Sequence, residues 1–251
     1  MTFYKYIYLI SGLVFSQSVL ANSFLESFEG EPRINMNVYA FAADVNGTIR
    51  EQNIKYHVDQ PSSDTVKHLD RMYMGYLDFR KGDWGLYIDK QLVKTSKDEA
   101  VINIPIAVST KLDQTNYGIY YRAYQSAETN QNNQHKLVVE PTIGIHHTEA
   151  KATLAAFNIT KQADINWDEF FWGTRIRYNF DSPWNLASEV TFGAKDTISA
   201  HAYVGYNIPV FKRFVNLRVG YRYFKQDYES NNFQWDITQK GPVIGINLPI
   251  F

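Results

Sequence analysis

An all-β chain closed into an antiparallel transmembrane β-barrel is the fold this sequence predicts, with ten strands preferred and eight as the alternative. Three observations carry it. Apolar residues recur at every second position in segment after segment, which puts them on one face of an extended chain. Aromatic residues make up 16% of the chain, 18 Tyr, 16 Phe and 5 Trp, although its mean hydropathy is negative. That combination suits an apolar exterior around a polar lumen, with aromatics gathered at the two interfaces. No stretch beyond residue 21 is apolar enough to cross a bilayer as a helix; the strongest, Ala100 to Val108, is short and contains Asn103 and Pro105. A closed barrel is then the spanning structure that leaves no backbone group unpaired in lipid.

The N-terminus reads as an export signal. Lys5 gives a positive start, residues 6–15 are mostly apolar, and Val19-Leu20-Ala21 offers a cleavage site, so residues 1–21 are expected to be a signal peptide. Ser11, Gly12, Ser16 and Gln17 interrupt the apolar run, which is too short for an anchor helix. Residues 22–33 then form a periplasmic lead-in and residues 34–251 the barrel. With zero Cys there is no disulfide framework or thiolate metal site, and neither a metal nor a cofactor is expected. A net charge of −1 announces no basic face for nucleic acid.

Taken in order, the first strand sets Ile34, Met36, Val38, Ala40 and Ala42 toward lipid against Asn35, Asn37, Tyr39 and Phe41. Residues 48–65 read as a long surface loop. A hairpin follows, with Tyr73, Leu77 and Phe79 outward, Asp78 and Arg80 inward, a turn at Arg80-Lys81-Gly82-Asp83, and Trp84, Leu86, Ile88 and Leu92 returning outward. Lys90 falls on the lipid face in this register and has to snorkel. Residues 94–99 read as a loop, and Tyr117, Ile119 and Tyr121 mark the next pass, opposite Tyr120 and Arg122. After a polar connector over 125–134, Val139, Ile143 and Ile145 alternate with Glu140, Thr142 and His146.

Residues 151–166 read as another loop. Phe170, Trp172, Ile176, Tyr178 and Phe180 then alternate with Phe171, Arg175, Arg177 and Asn179 in the most regular strand of the chain. Trp184, Leu186 and Val190 lead up from Asp181-Ser182-Pro183, with Glu189 inward, and Val204, Tyr206 and Ile208 come down after Lys195-Asp196. Val219, Tyr221 and Tyr223 face out against Arg218 and Arg222. The closing strand carries Ile244, Ile246, Leu248 and Ile250 on one face, with Asp236 expected inward and Phe251 last. That order leaves Phe251 out of phase, so either Pro249 sits at a bulge that resets the register or Phe251 lies beyond the last paired position.

Two strings resemble one family. FRKGDWGLYID and VGYRYFKQDYESNNFQWDITQKGPVIGI are similar to segments of small, largely uncharacterised outer-membrane barrels related to the OmpA and OmpW type, and the last strand resembles the C-terminal recognition strand of bacterial outer-membrane barrels. The resemblance implies residence in the outer membrane of a Gram-negative bacterium. It also implies contact with outer-membrane lipid and assembly through the terminal strand by the barrel-assembly machinery. It brings no activity, and nothing in the sequence sets the oligomeric state.

The inward positions collect Asp78, Arg80, Asp89, Arg122, Glu140, Arg175, Arg177, Glu189, Arg218 and Arg222. Paired charges filling a narrow lumen are the simpler reading, because eight to ten strands enclose little more than their own side chains. The outward aromatics Trp84, Tyr117, Tyr121, Trp172, Tyr178, Tyr221 and Tyr223 are the membrane-facing set. His146 and His147 are weak catalytic candidates: neighbours on a strand point to opposite faces, and no G-x-S-x-G nucleophile motif is present. The expected function is a non-enzymatic outer-membrane barrel, structural or a narrow passage for small solutes. A barrel-embedded hydrolase acting on lipid or peptide, and a surface binding protein using the outer loops, are the alternatives.

Overall fold

The structure, a computed structural model, describes residues 26–51, 54–101, 104–156, 159–211, 213–230 and 233–250. The expected signal peptide and Phe251 lie outside the described residues.

The elements follow one another as β1 (Arg33–Phe41), β2 (Asp44–Glu51), β3 (Ile54–Gln60), a short helix α1 (Ser62–Lys67), β4 (Leu69–Lys81), β5 (Trp84–Val101), β6 (Ile104–Tyr121) and β7 (Tyr124–Gln125), then β8 (Leu137–Ala156), β9 (Ile159–Asn179), β10 (Trp184–Gly193), β11 (Ile198–Val210), β12 (Arg213–Ser230) and β13 (Phe233–Pro249). Ten of them, all but β2, β3 and β7, pair antiparallel in sequence order, and β1 closes the ring on β13. The two weakest strand expectations, at 100–124 and 184–194, are β6 and β10, and the barrel has ten strands. Pro249 makes no bulge: the β1–β13 register runs unbroken from Phe41↔Val243 to Asn35↔Pro249, and Ile250 N–H donates to Ile34 O at 2.7 Å.

One end of the barrel carries Arg33 and Pro249 and is joined by short turns and by the longer connector 122–136 that holds β7; the other, called distal here, carries the long hairpins. The tightest turn, between β4 and β5, requires Gly82. Its φ is +59°, and a Cβ there would meet Ser27 O at 2.2 Å, because the lead-in segment lies across the turn. Trp84 Nε1 donates to Ser27 Oγ at 2.9 Å and stacks on Phe28 at 5.8 Å, fixing that segment to the barrel.

The outer surface is apolar in register. Leu86, Ile119, Ile143, Trp172 and Phe192 lie side by side on five neighbouring strands, and Ile88, Tyr117, Ile145 and Phe170 form the next row toward the distal end. All nine are among the exposed large hydrophobics, an arrangement that water would penalise and lipid accepts. The predicted membrane-facing Trp84, Tyr178, Tyr221, Ile244 and Ile246 belong to the same exposed set.

Three segments expected to be loops are strand. β5 runs to Val101 through the supposed loop 94–99, β8 and β9 fill most of 151–166, and 48–65 folds as β2, β3 and α1. The alternation continues there with its sign reversed. Past Ile145 and Phe170 the outward positions become His147, Glu149, Lys151, Asp168 and Asp164, and the inward ones become Leu112, Ala150, Ile165 and Trp167.

β5, β6, β8 and β9 thus rise beyond the apolar belt as one sheet, and β12, β13, β2 and β3 rise as another. The sheets pack through Trp167, Trp235 and Ile237 with Val45, Val58, Tyr228 and Phe233 around them. Asp236, expected inward, stands on the outer face between buried Trp235 and Ile237 for the same reason.

Candidate functional site

Among the described residues the lumen is an enclosed polar space, and all ten sequence-predicted lumen charges point into the ring. Period two dictates this: on each strand they share the face opposite the apolar belt. Arg175 is the centre of the arrangement. Cross-strand register sets it between Glu140 of β8 and Glu189 of β10, and its guanidinium reaches Glu140 at 3.7 Å, Glu189 at 3.7 Å and, over the lumen, Asp78 at 3.3 Å. The same guanidinium lies 3.9 Å over the Tyr120 ring and 5.2 Å from that of Tyr87. Glu140 also accepts two hydrogen bonds from Arg122, at 3.0 and 3.2 Å.

Those two rings are held by glycines. Tyr120 stands opposite Gly85 and Tyr87 opposite Gly118 on adjacent strands, and a Cβ on either glycine would fall 2.1 to 2.3 Å from the facing ring. Each ring therefore lies flat over the bare backbone of its neighbour, where its hydroxyl can reach a carboxylate: Tyr120 donates to Asp78 at 3.1 Å and Tyr87 to Glu189 at 3.1 Å.

A second knot lies further toward the distal end. Arg222 is 3% exposed and donates from Nη1 to Asp89 Oδ2 at 2.9 Å; Tyr39 donates to the other oxygen of Asp89. With its amide oxygen turned to Arg222, Gln91 accepts from both terminal nitrogens at 3.0 and 2.9 Å. Buried charges on strands that do not touch are thereby paired and hydrogen-bonded, the condition under which such groups are tolerated.

The remaining arginines differ. Arg80 donates to Gly82 O at 3.3 Å at the rim, Arg218 donates from Nε to Asn216 Oδ1 at 2.7 Å, and no hydrogen bond joins Arg177 to a described residue. None of the three has a carboxylate within 4.0 Å among the described residues. Arg177 and Arg218 line a cavity of about 70 Å³, together with Glu189, His201, Tyr203 and Arg222 among others.

The histidine candidates separate as strand geometry requires. His146 is buried, stacked on Phe171 at 4.2 Å, with Nδ1 2.7 Å from Asn116 Oδ1. His147 is on the outside, 2.7 Å from Asp168. Lys90, the awkward outward lysine, bonds Thr115 Oγ1 at 2.9 Å and pairs with Asp113 just beyond the apolar belt.

Sequence reasoning did not assign Tyr39, Gln91, Trp167 or Trp235 to the site. The first two sit on the inward set and could have been found by phase alone. The tryptophans required knowing that the two distal sheets face each other.

A closed ten-stranded barrel with an apolar belt outside and paired charges inside is a transmembrane β-barrel of the outer-membrane kind. No family model and no curated protein matches the chain. Among solved structures it is similar to Ail, the attachment invasion locus protein of Yersinia pestis, at 13% identity and a TM-score of 0.37, over 88% of this chain and 99% of that one. It is similar to the outer membrane protease OmpT of Escherichia coli at 7% identity and 0.33, over 87% and 97%. The Pseudomonas putida toluene transporter TodX matches at 11% and 0.22, over 86% and 88%.

Proposed function

We propose that the protein is a non-enzymatic outer-membrane barrel whose lumen is shut, serving as a structural anchor for the two-sheet extension at its distal end. The observation that carries this reading is the crossing of the lumen by Arg175 and Arg222 to carboxylates on strands they do not adjoin. Above these bridges the Trp167–Trp235 cluster fills the space between the distal sheets. A solute would have to break both layers, the first made of paired charges and the second of packed aromatic rings.

In this reading the short-turn end faces the periplasm and the extension faces outward, on a Gram-negative cell, with outer-membrane lipid around the belt. The barrel-assembly machinery engages β13 through Ile244, Ile246, Leu248 and Ile250, with Phe251 after them. Liposomes carrying the refolded protein should not swell in small sugars or amino acids; swelling above empty liposomes would overturn the reading.

A surface-binding role is favoured by one further observation. Arg71, Lys94, Lys111 and Lys151 occupy one row on the outer faces of four adjacent strands, two rows beyond Lys90. Like charges directly opposite one another cost stability, so such a row implies compensation from outside the ladder. Asp113, Glu149 and Asp164 supply it for Lys111 and Lys151 at 2.8 to 3.4 Å. Loss of cell-surface binding to an anionic partner in a K94Q/R71Q variant would support this role. Catalysis by the histidines is not part of the proposal: a His146→Ala/His147→Ala variant should leave the membrane-lipid profile unchanged.

A further inference from the structure

The charged groups at mid-lumen do not balance. Five guanidiniums, those of Arg122, Arg175, Arg177, Arg218 and Arg222, face four carboxylates, those of Asp78, Asp89, Glu140 and Glu189, and all four carboxylates are already engaged by Arg122, Arg175 and Arg222. Glu169 lies deeper toward the distal end, where its bond is to Gln226 at 3.4 Å, and it meets none of these arginines. The two cations left over, Arg177 and Arg218, border the same cavity. The cavity is also lined by Asp89, Glu140 and Glu189, which are engaged by other arginines, and among the described residues no carboxylate lies within 4.0 Å of half-buried Arg177 or Arg218 to serve as counter-charge.

The placing of Arg218 looks prepared. Gly205 and Gly245 are its register partners on the two neighbouring strands, and the side chains of Asn185 and Asn216 lie over the first and those of Tyr39 and Asn37 over the second. Its Nε is fixed by Asn216, which is itself held by a bond to Asn207 Oδ1 at 2.8 Å, and this leaves the two terminal nitrogens as a fork. A fork of parallel N–H donors is the geometry that matches two oxygens of a tetrahedral anion or a carboxylate. A cavity of about 70 Å³ holds roughly five waters at the usual 10–15 Å³ for each, or one such anion with its remaining water.

We infer that the cavity between Arg177 and Arg218 is a binding site for a small tetrahedral oxyanion of the phosphate or sulfate class. The anion supplies the missing counter-charge and bridges β9 to β12 across the lumen. Because the Trp167 cluster closes the distal side, exchange takes place through the short-turn end. The site is independent of conduction, since a barrel can be shut to passage and still exchange an ion at one mouth.

The test is calorimetric titration of inorganic phosphate, then sulfate, into the refolded full barrel in detergent, with chloride at matched ionic strength as control. One saturable site is expected. It should weaken at least tenfold in R177Q and in R218Q, weaken less in R218K, which keeps the charge without the fork, and be unchanged in K67Q on α1. Each variant is first checked for a folded band by heat-modifiable gel mobility. Should R218Q not fold, crystals of the unmodified protein soaked in selenate should give an anomalous peak in the cavity. No saturable site in the unmodified protein, equal binding in both glutamine variants, or selenate found only on the outer surface would overturn the inference.

Discussion

Arg222 and Asp89 lie 2.9 Å apart although the strands that bear them, β12 and β5, are separated in the sheet by β13, β1 and β4. A bond of this kind ties the two sides of the ring together. Removing one partner strands the other: Arg222→Met should cost about 3–5 kcal/mol, the usual penalty for a broken buried pair. Asp89→Leu combined with Arg222→Met should recover much of that loss. Urea unfolding of the four members of the cycle, followed by gel mobility, checks both outcomes.

Gly85 and Tyr120 make a second prediction. The Tyr120 ring is 2% exposed and has no room to retreat from a Cβ placed 2.1 Å away, so Gly85→Ala should destabilise by about 1–3 kcal/mol through overpacking. Gly85→Ala with Tyr120→Ser relieves the clash but loses the ring under Arg175, and should be less stable than the unmodified protein by unfolding midpoint.

Trp167 packs on Tyr228 at 4.8 Å and on Trp235 at 5.4 Å, joining the two distal sheets. Trp167→Ala should cost about 3–5 kcal/mol of local packing. The loss should fall on the extension and not on the barrel: amide exchange should quicken in the distal halves of β8, β9 and β13 while the belt strands keep their protection.

Asp44, at the start of the distal hairpin, accepts a hydrogen bond from Ser62 N–H at 2.7 Å and so ties α1 to β2. That bond holds its carboxyl below the ordinary aspartate range. A group with a depressed folded value contributes stability above its unfolded value and loses it as pH falls through the folded one. Protection of the Ser62 amide should therefore persist through neutral and mildly acidic pH, vanish below the ordinary aspartate range, and be absent at all pH values in Asp44→Asn if charge is what holds the tie.

How far the sequence could be read depended on where the lipid ended. From Ile34 to Ala40 and from Phe170 to Asn179, alternation gave both strand and facing, because apolar-out and polar-in was the rule expected of a spanning segment. The same rule concealed the extension. Beyond Phe170 the outward residues are Asp168 and Asp164 and the inward ones Trp167 and Ile165, the polarity of a water-bathed sandwich on a continuous strand. Lys94 and Lys151 looked like loop residues because they are charged, yet both are laddered. Asp236 was placed inward because it is charged, although its even position puts it on the face of Ile244 and Ile246.

The lumen charges were legible by phase, one strand at a time. Their pairing was not, since Arg175 and Asp78 are 97 positions apart and meet only once the ring closes. That Arg177 and Arg218 have no carboxylate within 4.0 Å among the described residues could be learned only from the closed structure.

The central claim is that this barrel is shut by its own paired charges, and single-channel recording in planar bilayers tests it most directly. The unmodified protein should insert without discrete conductance steps, and Arg175→Ala/Arg222→Ala/Trp167→Ala, where it folds, should give steps by opening both layers. Steady, reproducible steps from the unmodified protein would contradict the account.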